Sequence, residues 1–360
     1  MTNQLHHHRM APGLLVAAAT AVISGVSVLV NSYGVHDVPN AAVYTTGKNL
    51  IATALLVGLT FALPQLRSRS LSRADAIAEP FAARAPASPA VVRPRSPLAG
   101  RSPSLPHLTL PQWLGLAYVA VIGGGLAFVL FFDGLARTAA VPSAFLHDTL
   151  VIWVALCCWP LLRERLSLPN LGAIALLVCG EVAISGGIGH LSANVGTLLV
   201  LTATWCWAAE TIIAKRLLRA VAPGTLALVR MGGGSLALLG YLSATGGLAA
   251  LGALNLYQLS WVLMTGCLLA GYVATWMIAL SRARAVDVTS ILVASVAITA
   301  LLQEGLGRIT LGVVPGVGIA LVAAGTVVLV GSWLRTIGLN PTGARPEVEM
   351  LPGLPTRPSR

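Results

Sequence analysis

The chain has 360 residues, of which 56% are apolar and only 10% charged, and it carries a formal net charge of +11. So small a charged fraction excludes an ordinary soluble domain, in which about a quarter of residues are ionic. The positive excess would suit a nucleic-acid binder, but its placement along the chain, described below, excludes that reading too.

Apolar segments of about twenty residues alternate with ionic clusters, and each is long enough as a helix to cross a hydrocarbon core of about 30 Å. Ten spans are expected, over residues 12–30, 49–64, 112–133, 142–162, 168–187, 196–214, 223–246, 257–281, 287–303 and 311–334. Their glycine and alanine content, without β-branched alternation, predicts an all-α integral membrane protein and not a barrel. Residues 1–11 read as a short cytoplasmic tail, with His6, His7, His8 and Arg9 ahead of an uncleaved first helix. Residues 65–111 are rich in Arg, Ser, Pro and Ala and read as a disordered, basic cytoplasmic loop. The tail 335–360, with Pro341, Pro346, Pro352, Pro355 and Pro358, reads the same way. Cys157, Cys158, Cys179, Cys206 and Cys267 all fall inside apolar segments without metal spacing, so they read as small packed hydrophobes; no metal or cofactor is expected. The glycine triplets Gly123–Gly125 and Gly232–Gly234 permit close helix approach.

If the spans alternate from a cytoplasmic N-terminus, every lysine and arginine falls on the cytoplasmic side except Lys48, Arg137 and Arg308 outside and Arg230 within a span. This bias orients the protein with both ends in the cytoplasm of the cell membrane. The basic balance therefore encodes topology, and no nucleic-acid partner is expected.

The membrane part also repeats itself. Residues 19–39, ATAVISGVSVLVNSYGVHDVP, align without a gap on residues 203–223, ATWCWAAETIIAKRLLRAVAP, each reaching a proline, Pro39 and Pro223. LARTAAV at 135–141 matches LSRARAV at 280–286, and ERLSLPNLGAIALLVCG at 164–180 matches EGLGRITLGVVPGVGIALVAAG at 304–325. Five helices per repeat is an odd number. The halves 12–187 and 196–334 are therefore expected to enter the membrane from opposite sides, as two inverted-topology five-helix repeats.

The small-residue first helix running to Pro39, the turn Glu164-Arg165-Leu166 leading to Gly172 and Gly180, and the run TWCWAAETIIAKRLLRAVAPGTLALVR resemble the two EamA-type repeats of the drug/metabolite transporter superfamily. The resemblance implies a ten-helix exporter or exchanger of small metabolites with a central cavity, and no particular substrate. The long basic loop departs from the family pattern, and the register of the second helix near Lys48 is left open.

An ionisable side chain at the centre of a span costs roughly 2.5 to 3.5 kcal/mol on insertion scales and usually faces a cavity or a partner. His147 and Asp148 in the fourth span, Glu181 in the fifth, Glu210 in the sixth and Arg230 in the seventh are accordingly candidates for a substrate or ion pathway. Glu210 and Arg230 lie at similar depth, which predicts a pair across adjacent helices, either structural or a gate that opens for substrate. His147 and Asp148 point about 100° apart and suit a cavity wall plus a neighbouring helix. Histidine titrates near neutrality, which fits a proton relay. The second repeat has uncharged Ile291 and Leu292 at the corresponding positions. The alternative is that the two side chains hydrogen-bond Thr149, Asn31 or Lys48 and only hold helices together. Asp133 is expected to pair with Arg137 one turn on, and Glu164 and Glu304 to cap or to pair with Arg165 and Arg308. Asn31, Trp205, Trp207, Tyr272 and Trp276 are candidate cavity-lining residues. Trp113, Trp159, Trp261 and Trp333 read as interfacial anchors.

Taken together, the residues point to a secondary active transporter that exports or exchanges a small metabolite or drug-like molecule by alternating access, with protons as coupling ion through Asp148 or Glu210. Its partners would be that small molecule and the lipid bilayer; monomer and homodimer both stay open. No GxxxxGK[ST] occurs, so ATP is not the direct energy source. The Arg, Ala, Gly and Pro bias points to a GC-rich bacterial genome. Two rival readings are a non-transporting scaffold or sensor that uses the basic loop, and an intramembrane enzyme with His147 and Asp148 as acid and base. HExxH and GxSxG are both missing, so an enzyme is not expected.

Overall fold

The architecture is that of a computed structural model, which describes residues 2–38, 40–82, 108–138, 140–162, 164, 167–185, 194–308, 310 and 312–336. The main helices are α1 (Thr2–Asp37), α2 (Ala41–Ala82), α3 (Leu110–Ala136), α4 (Ala140–Asp148, resuming as Leu150–Cys157) and α5 (Leu168–Ile184). They are followed by α6 (Val195–Leu217), α7 (Pro223–Ala244), α8 (Leu256–Arg282), α9 (Ala285–Leu292, resuming as Ala294–Gly305) and α10 (Val313–Thr336). No strand occurs among the described residues. Eight of these helices are long and apolar enough to cross a membrane, while α4 and α5 are shorter apolar helices. The protein is thus an all-helical, multi-pass membrane protein. Large apolar side chains such as Leu15, Leu168, Leu256 and Val313 stand on the outside, where lipid replaces water as solvent.

Helix starts follow from local chemistry. Asn194 and Asn255 accept the backbone N–H of Thr197 and Gln258 at the heads of α6 and α8, and Pro223 occupies the first turn of α7, where its missing N–H is harmless. The head of α2 corrects the expected span 49–64. Asn40 accepts the N–H groups of Ala42 and Val43 and starts the helix at Ala41, so Lys48 lies two turns inside it and not at its beginning. The polar run Thr45-Thr46-Gly47-Lys48-Asn49 is tolerated because both threonine hydroxyls donate back to carbonyls four residues earlier. At its other end α2 continues to Ala82, so residues 65–82, expected as irregular loop, are helical; Leu, Ala and Arg are strong helix formers and carry it on. Residues 83–107 of that loop and 337–360 of the tail lie outside the described residues. Likewise α1 begins at Thr2, within the stretch read as a tail.

The helix pairings show a pattern. α1 packs on α8 and α3 on α6; α2 packs on α8 and α3 on α7; α1 packs on α9 and α4 on α6. α5 packs on α10, and α2 meets α7. Exchanging α1–α5 with α6–α10 maps this set of pairings onto itself. Because lipid tails are as apolar as leucine, such packing is driven by close fit and not by escape from water. At the α5–α10 contact a Cβ on Gly180 would lie 2.6 Å from the Gly318 carbonyl oxygen, and the reverse holds for Gly318. α3 and α7 cross at their glycine triplets, where each helix loosens into a π-helical stretch, Val119–Leu126 and Val229–Gly233. A Cβ on Gly124 would overlap the Arg230 carbonyl, and one on Gly234 would overlap Gly124. Only glycine lets these backbones touch.

Candidate functional site

The packing leaves a partly open cavity between the two groups of five helices. Its wall draws on α1, α2, α3 and α4 on one side and on α6, α7 and α8 on the other. Of the residues singled out from sequence, Asn31, His147, Trp207, Glu210, Arg230, Tyr272 and Trp276 line it; Asp148, Glu181 and Trp205 do not.

Two cations reach the wall. Arg230, buried in the π-helical stretch of α7, donates through Nε to Glu210 Oε1 at 2.5 Å and through Nη2 to Glu210 Oε2 at 3.0 Å. The expected pair across adjacent helices is therefore present, in the two-pronged geometry that suits guanidinium and carboxylate. Gly123 makes room for it, since a Cβ there would overlap the Glu210 carboxylate, and the Gly123 carbonyl accepts the Trp207 indole N–H at 3.0 Å.

Lys48 is held differently. Its side chain is buried, with Nζ donating to Asn31 Oδ1 at 2.7 Å and sitting 3.5 Å from the centroid of the Phe132 ring. Tyr44 donates its hydroxyl to the same Asn31 oxygen at 2.7 Å, and the Asn31 amide nitrogen donates to the Ser27 carbonyl and hydroxyl. No carboxylate among the described residues forms an ion pair with Lys48. Phe128 lies between the two cations, 5.9 Å from Lys48 Nζ and 5.0 Å from the Arg230 guanidinium carbon. The cation–aromatic contacts offset part of the burial cost of each.

The neighbours His147 and Asp148 divide as their 100° separation requires. His147 faces the cavity with its ring packed edge-on against Phe131 and Trp207, and its Nδ1 is 2.9 Å from Asp148 Oδ1. Asp148 sits behind the wall and accepts the Ser295 hydroxyl of α9 at 2.8 Å. Neither reaches Thr149, Asn31 or Lys48: Thr149 donates to Leu146, while Asn31 and Lys48 bond to each other. α4 breaks immediately after Asp148, at Thr149, and α9 breaks immediately after Leu292, at Val293. Ile291 and Leu292 thus occupy the matching place before the second break, without charge. Glu181 is buried on α5 away from the cavity, and its Oε1 has no hydrogen-bond partner among the described residues. Trp205, expected on the wall, is 48% exposed on the outer face of α6 and packs edge-on against Trp153. Trp113 is exposed, as an anchor would be; the side chains of Trp159 and Trp333 lie outside the described residues.

Sequence reasoning missed Phe128, Phe131 and Phe132 on the wall. Their i, i+3, i+4 spacing on α3 was the signal, since it places all three on one helix face.

Both ends of the bundle are tied. At one face Tyr257 and Gln258 of α8 donate to the Asp37 carboxylate and carbonyl at the end of α1, each at 3.1 Å. At the other, Lys215 donates to the carbonyls of Leu280 and Ala283, Arg216 donates to the Leu161 carbonyl at 2.5 Å, and the Glu164 carboxylate accepts the Ala285 N–H that heads α9 at 3.1 Å. The expected cap by Glu164 is therefore made to the other half of the chain; Arg165 lies outside the described residues. On the same face Arg284 meets Asp287 through two 2.7 Å hydrogen bonds. Burial opposes the Arg284 charge, but the Asp287 hydrogen bonds and charge outweigh it, and the guanidinium pKa is raised. At the opposite face the Asp133–Arg137 pair forms as expected, at 3.0 Å. No cluster of metal-ligating side chains occurs among the described residues.

The model of the EamA-like transporter family matches residues 50–186 and again residues 194–331. A curated protein described as an uncharacterized transporter, from Methanothermobacter thermautotrophicus, is 29% identical over 113 residues, which make up 30% of this chain and 33% of that protein. The match thus spans about a third of the curated relative. A solved crystal structure superposes on 91% of this chain, and on 99% of its own, with a TM-score of 0.62 at 15% identity, a likeness of fold alone.

Proposed function

Because the chain belongs to the EamA-like transporter family, we propose that it is a secondary active transporter that exports or exchanges a small metabolite or drug-like molecule across the cell membrane by alternating access. The observation that carries this reading is the pocket whose wall is shared by helices of both family-matched segments, with ionisable groups supplied from each. Ten spans arranged as two inverted five-helix halves would place such a site at their interface near mid-depth. The exchange pattern of the helix pairings supports that layout. In the cycle, the ties of Lys215, Arg216 and Glu164 break at one face, and those of Asp37 break at the other, as one half rocks against its mate.

Protons are the proposed coupling ion. His147 touches the cavity and hands on to Asp148 behind the wall, which supports Asp148 as the proton carrier; Glu210, with both oxygens on Arg230, serves as a gate. Family membership points away from an enzyme, and the scaffold reading has no use for an internal cavity.

Metabolites in medium and cytoplasm are to be compared by mass spectrometry for cells expressing the native chain, the Asp148→Asn variant or neither. A compound should appear in the medium only with the native chain. Equal export by both proteins would remove Asp148 from the mechanism, and no difference from the empty cells would sink the export reading.

A further inference from the structure

The two cations of the cavity differ in one respect that bears on what the cavity holds. Arg230 is neutralised by Glu210. Lys48 has an amide oxygen, an aromatic face and, among the described residues, no carboxylate, although it is 1% exposed and lies on the cavity wall. An ammonium has three N–H donors, and the Asn31 oxygen takes one of them while also accepting from Tyr44. A buried charge left this way is costly unless a ligand completes it.

The other polar groups of the wall fit an anion of small size. The Ser24 and Ser27 hydroxyls lie on the same stretch of α1 as Asn31, one and two turns away. A single lysine with hydroxyl neighbours matches the one charge of a carboxylate; a phosphate, with more charge and more acceptor oxygens, usually draws arginine or several cations. The remainder of the wall is apolar or aromatic, with Phe128, Phe131, Leu269 and Trp276 prominent, as in sites that take an apolar body. Among the described residues the wall has no carboxylate free to receive a ligand ammonium: Glu210 is engaged by Arg230, and Asp148 lies behind His147 and bonds Ser295.

We propose that Lys48 is the anchor for the carboxylate of the transported molecule, and that the substrate class is a non-zwitterionic organic acid with one carboxylate and an apolar or aromatic body. This rests on the transport reading but concerns binding, so its test requires no transport. The full chain in lipid nanodiscs is titrated with arylalkyl acids from phenylacetate to 5-phenylvalerate, with the matching amides and amines, and with phenylalanine, while tryptophan fluorescence is followed.

A saturable response to at least one acid is expected, with none or a far weaker one to its amide, its amine and phenylalanine. Lys48→Gln should weaken the acid by at least about tenfold, the loss typical of a hydrogen bond to a charged group. Lys48→Arg should retain most of the affinity and shows that the position tolerates replacement. The proposal is overturned if no acid gives a saturable response, if amides or amines bind as well as acids, or if a monodisperse Lys48→Gln protein binds the acid like the native chain. Export of a neutral or cationic compound by cells, with no binding of acids, would reject this inference and leave the transport reading standing.

Discussion

Arg230 and Lys48 face the same cavity beside the Phe128 ring, yet one is locked to a carboxylate and the other to an amide oxygen and a ring. The difference shows how a membrane interior can hold a cation for two purposes. Arg230 sits where α3 and α7 touch through glycine, and its partner Glu210 closes its charge within the protein. Lys48 sits where α2 meets α1 around a hydrogen-bonding asparagine, buried on the cavity wall with no carboxylate partner among the described residues. The first arrangement ties helices together; the second waits for something to arrive.

Breaking the closed pair should have the largest effect on folding. Glu210→Gln or Arg230→Met leaves a buried charge without its partner and should destabilise by about 3–5 kcal/mol, while replacing both together with apolar residues should recover most of the loss. Thermal unfolding of purified protein measures this, and equal destabilisation by the double and single variants would contradict it. Next comes the glycine crossing that carries Arg230. Gly124→Ala drives a methyl into the Arg230 carbonyl and should cost roughly 1–3 kcal/mol by overpacking. Gly58→Ala, where nothing lies within 4 Å of the added carbon, is the matched control and should stabilise by up to about 1 kcal/mol, alanine being the better helix former.

Around Lys48 the effects on folding should be smaller. Tyr44→Phe removes one hydrogen bond to Asn31 and should cost about 1 kcal/mol. Lys48→Met should leave the unfolding temperature unchanged or raise it, because it removes a buried charge that has no ion-pair partner among the described residues. A loss as large as that of Arg230→Met would mean that Lys48 is a structural cation after all, and the comparison would collapse.

Much of this contrast was visible in the chain itself. The all-helical membrane class followed from hydropathy and length, and LARTAAV and its match LSRARAV fall one in each family-matched segment. Glu210 and Arg230 were legible as a pair because both stand out as charges at similar depth. Lys48 was misplaced because hydropathy falls through Thr45, Thr46 and Asn49; the helix persists there only because its threonines bond to their own backbone and Asn40 caps it. The π-helical stretches of α3 and α7 leave no periodic trace, since three glycines carry no side-chain pattern. Trp205 and Trp207 show the limit of residue type as a guide: two positions apart on one helix, they point to the outside and to the cavity respectively. Asp148 could be placed in its helix from sequence, but not its bond to Ser295, which depends on how α4 packs on α9.

Alternating access requires that the cavity open to both faces of the membrane in turn. Ser27 on the cavity wall can be replaced by cysteine in a chain whose five native cysteines are changed to alanine, and a membrane-impermeant maleimide applied to right-side-out and to inside-out vesicles. Labelling from both faces is predicted. Labelling from one face only, or from neither, in protein that remains folded and inserted would contradict alternating access through this cavity.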